Sequence, residues 1–175
     1  MTTTIDELRA RLPAAARDIA HNLQTVLQPG GALDDEQRWG VAVACALASR
    51  HREVRDAVLA EATGKASDDV IDDARAAAVL MAMSNVYYRF RHLSKREVYS
   101  QKPARLRMSR VAQVRSKKVT FELMCLAVSA INGCEVCIQS HERAALEGGL
   151  TEEHVHDAVR IAAVVQATAV ALDIV

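Results

Sequence analysis

Apolar residues recur along most of the chain at intervals of three and four, which is the spacing of residues on one face of an α-helix. These runs are bounded by glycine and proline, and by Ser, Thr or Asp residues of the kind that cap helix N-termini. The pattern predicts eight helices, over residues 4–12, 13–27, 35–49, 53–62, 67–88, 119–132, 134–146 and 151–171. No segment alternates apolar and polar residues as a half-buried strand does, so we expect an all-α fold.

The composition agrees with closely packed helices in one domain. Half of the 175 residues are hydrophobic, yet only 3% are aromatic, and the chain has only three prolines. Sheets usually contain more aromatic residues, whereas Ala and Leu favour helices. A chain of this length suits one domain with its own core, and we expect a single domain over residues 1–175. Residues 89–118 are polar, include Pro103 and predict no clear element.

The two halves of the chain resemble each other. With a shift of 84 or 85 residues, both halves contain a helix, a glycine break, a capping Ser or Thr, an acidic pair and an Ala-rich helix. Such repetition indicates an internal duplication, with a degenerate half at about 34–93 and an active half at about 119–175. At the shift of 85, the first half has Gln37, Ser49, Arg52 and Asp56 where the second has Glu122, Cys134, Cys137 and His141.

The charge of the chain gives no support for a nucleic-acid or membrane-surface partner. Lys and Arg together number 22, as do Asp and Glu, so the formal net charge is zero. The most basic stretch, residues 105–118, has no aromatic residues among its Arg and Lys side chains. We interpret it as a solvated face or loop.

Targeting and membrane-spanning segments are not evident either. Residues 1–7 lack the apolar core of a secretory signal, and the most apolar stretch, residues 161–175, is short for a bilayer span. We interpret that stretch as a buried helix and expect a cytoplasmic protein. Thiols in the cytoplasm are kept reduced unless a disulfide is part of the chemistry.

Four cysteines are present, and two of them form a motif. Cys45 and Cys125 lie among Ala, Val and Leu residues, and we expect both to be small buried hydrophobic side chains. Cys134 and Cys137 are three residues apart, hence on one helix face and close enough to form a disulfide. The preceding Asn132-Gly133 predicts a turn, which puts Cys134 near a helix N-terminus, where N–H groups and the helix dipole stabilise a thiolate.

His141 and Glu122 extend the cysteine pair into a candidate proton relay. His141 follows Cys137 by four residues, so it shares the same helix stripe, and an imidazole there can take the thiol proton. If the flanking helices fold back as a hairpin, the heights of Glu122 and His141 differ by only about 3 Å, at about 1.5 Å of rise per residue. The spacing therefore predicts a relay Glu122–His141–Cys137, with Cys134 as the resolving thiol.

A Cys-x-x-Cys pair alone leaves other functions open. Zinc sites also use it, and Glu122 and His141 could in principle complete the four ligands, although structural sites usually take a second ligand pair from a separate element. A thioredoxin fold would need a βαβ context, which the helical pattern does not provide. A small metal-binding or redox-sensing helical protein stays an alternative to a redox enzyme.

Residues 121–142 closely resemble the AhpD alkyl hydroperoxide reductases of actinobacteria, in the carboxymuconolactone decarboxylase-like superfamily. The family pattern is Glu, eleven residues, Cys-x-x-Cys, three residues, His, and it is matched by Glu122, Cys134, Cys137 and His141. The likeness extends over nearly the whole chain, including residues 37–40 and 83–89. The related decarboxylases look similar in fold but do not depend on a CxxC pair, so the pair favours the reductases.

The resemblance implies an all-helical subunit in a homotrimer, with no bound cofactor or metal. It implies reduction of organic hydroperoxides, and electron transfer from dihydrolipoamide on a lipoylated dihydrolipoamide acyltransferase to the peroxiredoxin AhpC. By the family's roles, Cys137 attacks and forms a sulfenic acid, Cys134 donates a proton and resolves it as a disulfide, and Glu122 and His141 relay the proton. Some members have a histidine just before the second cysteine; this chain has Val136, so that histidine's role is not carried over.

Overall fold

The computed structural model describes residues 3–174, which form nine α-helices. They are α1 (Ile5–Arg11), α2 (Arg17–Leu27), α3 (Asp35–Ala48), α4 (Arg52–Ala62), α5 (Asp68–Ser94), α6 (Glu97–Gln101), α7 (Lys118–Ile131), α8 (Glu135–Glu147) and α9 (Glu152–Asp173). Short 3₁₀ turns occur at Ala14–Ala16 and Ser109–Ala112. Between residues 3 and 174 there is no β-strand, and sheet-type pairing is limited to one bridge between Thr63 and Ala66. The predicted all-α fold is therefore confirmed.

Side-chain caps place several helix starts where the sequence predicts them. The Thr4 side chain caps α1 and Glu7 returns the hydrogen bond to the Thr4 backbone. Asp34 and Gln37 form the same reciprocal pair at α3, and the Ser67 hydroxyl caps α5. Local capping chemistry thus explains why these boundaries can be found without tertiary information.

Two predicted helix boundaries differ from the structure by more than two residues. Pro13 does not begin a continuous helix to residue 27, because its backbone is extended (ψ 161°) and a 3₁₀ turn separates it from α2. α5 continues past the predicted end at residue 88 to Ser94, and Lys95 ends it in the left-handed region at φ 52°. The additional turns of α5 are stabilised by tertiary hydrogen bonds to the turn between α7 and α8, which a local pattern cannot reveal.

α3 and α7 form the centre of the protein and are buried along most of their length. α5 and α9 pack against both of them, while α2 packs on α9 and α4 packs on α3. The close approach of α3 to its neighbours requires Gly40, where an added Cβ would lie 2.3 Å from Met124 Cε and 2.9 Å from Val70 Cγ1. Because α3, α5, α8 and α9 all pack against α7, most of its residues are buried and apolar.

The segment between α5 and α7, residues 95–117, is fastened to the core by Asp73. The buried Asp73 carboxylate accepts hydrogen bonds from the Arg110 side chain, the Arg115 N–H, and the N–H and hydroxyl of Ser116, at 2.6–3.2 Å. Burial alone would raise the pKa of Asp73, but these hydrogen bonds outweigh it, so its pKa lies below the ordinary value. An ionised carboxylate therefore holds the end of this segment against α5.

The two halves contain their helices in the same order: α3, α4 and α5, then α7, α8 and α9. α7 begins 83 residues after α3 (118 against 35), and α8 begins 83 residues after α4 (135 against 52). At this interval Arg50 (φ 62°) matches Gly133 (φ 64°), so both inter-helix turns contain a left-handed residue. The register of these helices differs by two residues from the shift of 85, and it pairs Glu122 with Trp39 rather than Gln37. The internal duplication itself stays a prediction.

Helix α9 is longer than the apolar stretch predicted at residues 161–175, whose last residue lies outside the described ones. In the described chain, α9 is the one helix long and apolar enough to cross a membrane by length and composition alone, and 44% of its most apolar window is buried inside the protein. Its buried side chains lie where it packs against α2, α3 and α7. A position in the protein core is sufficient to explain its apolar sequence.

Candidate active site

The turn between α7 and α8 carries the cysteine pair. Asn132 ends α7, Gly133 adopts a positive φ of 64°, and Cys134 is the N-cap residue of α8. The Cys134 N–H donates to the Ser129 carbonyl, and the Cys134 carbonyl accepts from the Cys137 N–H in the first turn of α8. The predicted helix start at Cys134 is therefore wrong by one residue, while the prediction that Cys134 lies at a helix N-terminus is confirmed.

Cys134 and Cys137 form a disulfide, with their Cα atoms 5.3 Å apart. Their surroundings differ, because Cys134 is fully buried whereas Cys137 is 7% exposed. Cys137 also lines a cavity of about 320 Å³, and Cys134 is not among the residues that line it. Cys137 is therefore the cysteine of the pair that a small molecule in the cavity can approach.

The cavity beside Cys137 has mostly apolar walls, contributed by α5, the segment 95–117, α7 and α8. Its lining residues are Met81, Ser84, Tyr88, Met108, Val111, Phe121, Cys125, Val136, Cys137, Ser140 and His141. Apolar walls that contain a few polar groups are typical of sites for small organic molecules. The cavity therefore combines a sulfur atom with space for an apolar substituent.

Glu122 is buried between two partners. Its Oε2 lies 2.7 Å from Nδ1 of His141, and its Oε1 lies 2.8 Å from Nζ of Lys118. Burial alone would raise the pKa of Glu122, but the hydrogen bonds and charges of His141 and Lys118 outweigh it and hold the pKa below the ordinary 4.5. The contact between Glu122 and His141 that the hairpin geometry predicts is present, and Glu122 is ionised at neutral pH.

The ionised Glu122 determines which nitrogen of His141 is basic. A carboxylate can only accept hydrogen bonds, so Nδ1 of His141 carries the proton in the bond to Glu122. In a neutral imidazole the other nitrogen, Nε2, then has a free lone pair. His141 and Cys137 line the same cavity, so the imidazole ring and the sulfur belong to one site.

Sequence reasoning missed two contributors to the site, Lys118 and Cys125. Lys118 belongs to a stretch that we interpreted as a solvated face or loop, yet it forms an ion pair with Glu122; their i, i+4 spacing on α7 could have indicated this pair. Cys125 is buried as predicted, as is Cys45, but Cys125 also lines the cavity. Burial raises the pKa of the Cys125 thiol, so this thiol is protonated and a poor nucleophile.

The four residues that zinc would need are not gathered into one group. Glu122 is bonded to His141 and Lys118, and the two cysteine sulfurs are bonded to each other. Among the residues that the structure describes, no set of three or more His, Cys, Asp or Glu side chains is arranged to hold a metal ion. The geometry presents a disulfide beside a separate Glu–His pair.

Comparisons with known proteins agree with the cysteine pattern. The model of the carboxymuconolactone decarboxylase family matches residues 99–175. An alkyl hydroperoxide reductase AhpD from Anaeromyxobacter sp. (strain K) is 56% identical over 171 residues, which covers 98% of this chain and 91% of the relative. Proteins of the same name from Methylocella silvestris and Brucella canis are each 45% identical over 170 residues, covering 97% of this chain and 95% and 97% of theirs. Identity at this level over nearly the whole length confirms the resemblance, and the chain belongs to the AhpD family of alkyl hydroperoxide reductases.

Proposed function

We propose that this protein is a CxxC thiol peroxidase and disulfide reductase that reduces organic hydroperoxides. One observation carries the proposal: Cys137 and His141 line the same apolar cavity, and Glu122 fixes the tautomer that leaves Nε2 of His141 basic. The apolar walls suit the alkyl or aryl group of an organic peroxide, which would place the peroxide oxygens beside the sulfur.

The first step is attack of the Cys137 thiolate on the terminal oxygen of the peroxide. Nε2 of His141 takes the thiol proton, and an S–O bond forms as the O–O bond breaks. The proton then passes to the departing alkoxide, which leaves as an alcohol, and Cys137 is left as a sulfenic acid. Glu122 keeps its negative charge throughout and stabilises the imidazolium that exists between the two proton transfers.

Cys134 completes the oxidation. Its sulfur attacks the sulfur of the Cys137 sulfenic acid, the hydroxyl group leaves with the Cys134 proton as water, and the disulfide closes. As the N-cap of α8, Cys134 lies at the N-terminal, positive end of the dipole of that helix. This position favours the thiolate that the second attack requires.

We propose that a dihydrolipoyl group on a lipoylated dihydrolipoamide acyltransferase reduces this disulfide, and that the reduced pair passes electrons to the peroxiredoxin AhpC. A dithiol donor restores both thiols by two exchange reactions and becomes a cyclic disulfide, so no bound cofactor is needed. The burial of Cys134 and the slight exposure of Cys137 favour a slender donor of this kind. Such donors stay reduced in the cytoplasm, where we place the protein.

Val136, which stands where some family members have a histidine, belongs to the cavity wall. We propose that it adds apolar surface for the substituent of the peroxide. Proton transfer in this chain then depends on His141 and Glu122 without a third imidazole.

The decisive test of the proposed function is stopped-flow oxidation of the reduced protein by cumene hydroperoxide, followed by re-reduction. We expect two thiols to be lost per chain, and dihydrolipoamide to restore them at least about tenfold faster than glutathione, because the second thiol of a dithiol acts intramolecularly. Thiol titration after rapid quenching measures both phases. Oxidation no faster than that of free glutathione at equal thiol concentration would contradict a peroxidase function.

We also propose that the protein is a homotrimer, supported by an apolar stripe on α5. Val79, Val86, Phe90 and Leu93 recur on one helix face and are 71%, 60%, 50% and 65% exposed. Monomers rarely expose contiguous apolar patches of this kind, so further copies of the chain are expected to cover it. In a closed ring, each stripe meets a different surface of the next subunit.

Sedimentation equilibrium measures this assembly directly. We expect a mass about three times the 19.1 kDa of the chain, and dissociation when Val86→Asp places a charge on the stripe. Val170→Asp is the matched control, because Val170 is also exposed (53%) but lies on α9, outside the stripe. A wild-type mass of 19.1 kDa at micromolar concentration would rule out the trimer.

A further inference from the structure

Residues 83–89 of α5 carry part of the family resemblance, and of these Ser84 and Tyr88 line the cavity described above. Asn85, in the middle of this run, is buried and lies against the end of α7. Its Nδ2 donates to the hydroxyl of Ser129 at 2.9 Å, and its Oδ1 accepts from Nδ2 of Asn132 at 3.0 Å. Both ends of the Asn85 amide are therefore bonded to the chain that leads into the cysteine pair.

Two further residues of α5 continue this contact toward α8. One turn after Asn85, the Arg89 guanidinium donates to the backbone carbonyl of Asn132, the residue that ends α7. A further turn along, Nε2 of His92 lies 3.2 Å from the Glu135 carboxylate at the first residue of α8. Because positions 85, 89 and 92 lie on one face of α5, the three side chains follow the turn from its start to its end.

We propose that Asn85 and Arg89 are positioning residues that hold the α7–α8 turn in place when the disulfide is open. In the oxidised protein the Cys134–Cys137 bond itself holds the two residues together. In the reduced protein that covalent link is absent, and the turn depends on its non-covalent contacts. Hydrogen bonds from α5 keep Cys134 at the N-cap of α8, at the same separation from Cys137 that the disulfide needs.

The consequence is a high effective concentration of one thiol at the other. A reaction between two fixed groups avoids the entropy loss of bringing them together, so a fixed turn speeds closure of the disulfide and favours the oxidised form at equilibrium. Replacing Asn85 by an apolar residue would remove the partner of the buried Ser129 hydroxyl and of the partly buried Asn132 amide. The turn would then adopt several conformations, and fewer of them would suit the disulfide.

The test is the equilibrium between the protein and a glutathione redox buffer, measured with the full chain at pH 7. For Asn85→Leu, which keeps the branching of the side chain but replaces its amide by two methyl groups, we expect the equilibrium constant for disulfide formation to fall roughly tenfold, equivalent to about 30 mV. Thr168→Val is the matched control, because it removes a buried hydroxyl that bonds to the Val164 carbonyl in α9. This control is expected to change the melting temperature but not the thiol–disulfide equilibrium.

A second pair of variants keeps the proposal testable if Asn85→Leu fails to fold. Arg89→Met removes the donor to the Asn132 carbonyl and is expected to lower the equilibrium constant for disulfide formation. Arg89→Lys retains one donor, so its equilibrium constant is expected to lie close to that of the wild type. If Asn85→Leu and Arg89→Met both leave the equilibrium within twofold of the wild type, the positioning role is wrong. The part of Cys134 in resolving a sulfenic acid rests on the proposed function, but the glutathione equilibrium does not. If the wild type consumes no peroxide and the variants still lower the equilibrium constant for disulfide formation, only the peroxidase activity is refuted.

Discussion

Replacing Cys137 by serine is expected to abolish consumption of organic hydroperoxide by the reduced protein. A serine hydroxyl is a far weaker nucleophile than a thiolate, and loss of the attacking group in such sites typically costs a factor of about 10³ or more. Cys137 is the cysteine of the pair that reaches the cavity, so Cys134 cannot replace it as attacker. The rate of loss of cumene hydroperoxide measures the effect, and turnover within about tenfold of the wild type would exclude Cys137 as the attacking residue.

Two other cysteine variants separate attack from resolution. Cys134→Ser is expected to react once with peroxide and to accumulate a sulfenic acid at Cys137, which dimedone traps and mass spectrometry detects. Cys125→Ala is the matched control, because Cys125 lines the same cavity but burial raises the pKa of its thiol. This control should keep most of the activity. A sulfenic acid found at Cys134 in the Cys137→Ser protein would reverse the assigned roles.

The central part of the site could be predicted because its spacing is local. Glu122, the cysteine pair and His141 all lie within one helical hairpin, so helix rise and periodicity were sufficient to bring them together. The same reasoning predicted that Cys45 and Cys125 are buried, because each lies in an apolar run. Local patterns also identified most helix starts, where a capping side chain bonds to its own helix.

The remaining parts of the site depend on packing between distant segments. Met108 and Val111 of the segment 95–117 line the cavity opposite Met81 and Tyr88 of α5, and Asp73 of α5 bonds to the same segment. No periodicity links these residues to the cysteines. The extended end of α5 was missed for a similar reason, since its partners are backbone and side-chain groups more than 40 positions later in the chain.

The predicted duplication has one register in the residues and another in the helix boundaries. At a shift of 85 the similar residues are those of shared helical composition, whereas the helix boundaries of α3 and α7 are 83 residues apart. In that register both inter-helix turns contain a residue with positive φ, Arg50 in the first and Gly133 in the second. The two turns thus have a similar backbone conformation although their residues differ, and the cysteine pair occurs at the second turn only.

Replacing Glu122 by glutamine is expected to slow oxidation by peroxide roughly 10- to 100-fold without preventing disulfide formation. A general base typically contributes about 10²–10⁴, and here His141 itself remains. Glutamine is neutral, so it cannot stabilise the imidazolium as the carboxylate does, and its single amide oxygen can accept from Lys118 or from Nδ1 of His141 but its NH2 group then faces the other partner. The rate of thiol loss at pH 7 measures the effect, and an unchanged rate would remove Glu122 from the relay.

The pH dependence of this variant follows from the lowered pKa of Glu122. Because the pKa in the folded protein lies below the ordinary 4.5, the interactions of the carboxylate are fully present above about pH 4.5. They are lost only as the pH falls through the lower folded value. The wild type should therefore be oxidised faster than Glu122→Gln from pH 8 down to about 4.5. This rate advantage should be lost below that range, since a protonated Glu122 is as neutral as glutamine.

Glu147→Gln, the same change at the exposed end of α8, is the control, and its oxidation rate should match that of the wild type across this range. An advantage already absent at pH 7 would contradict a role in catalysis for the ionised Glu122 paired with His141 and Lys118.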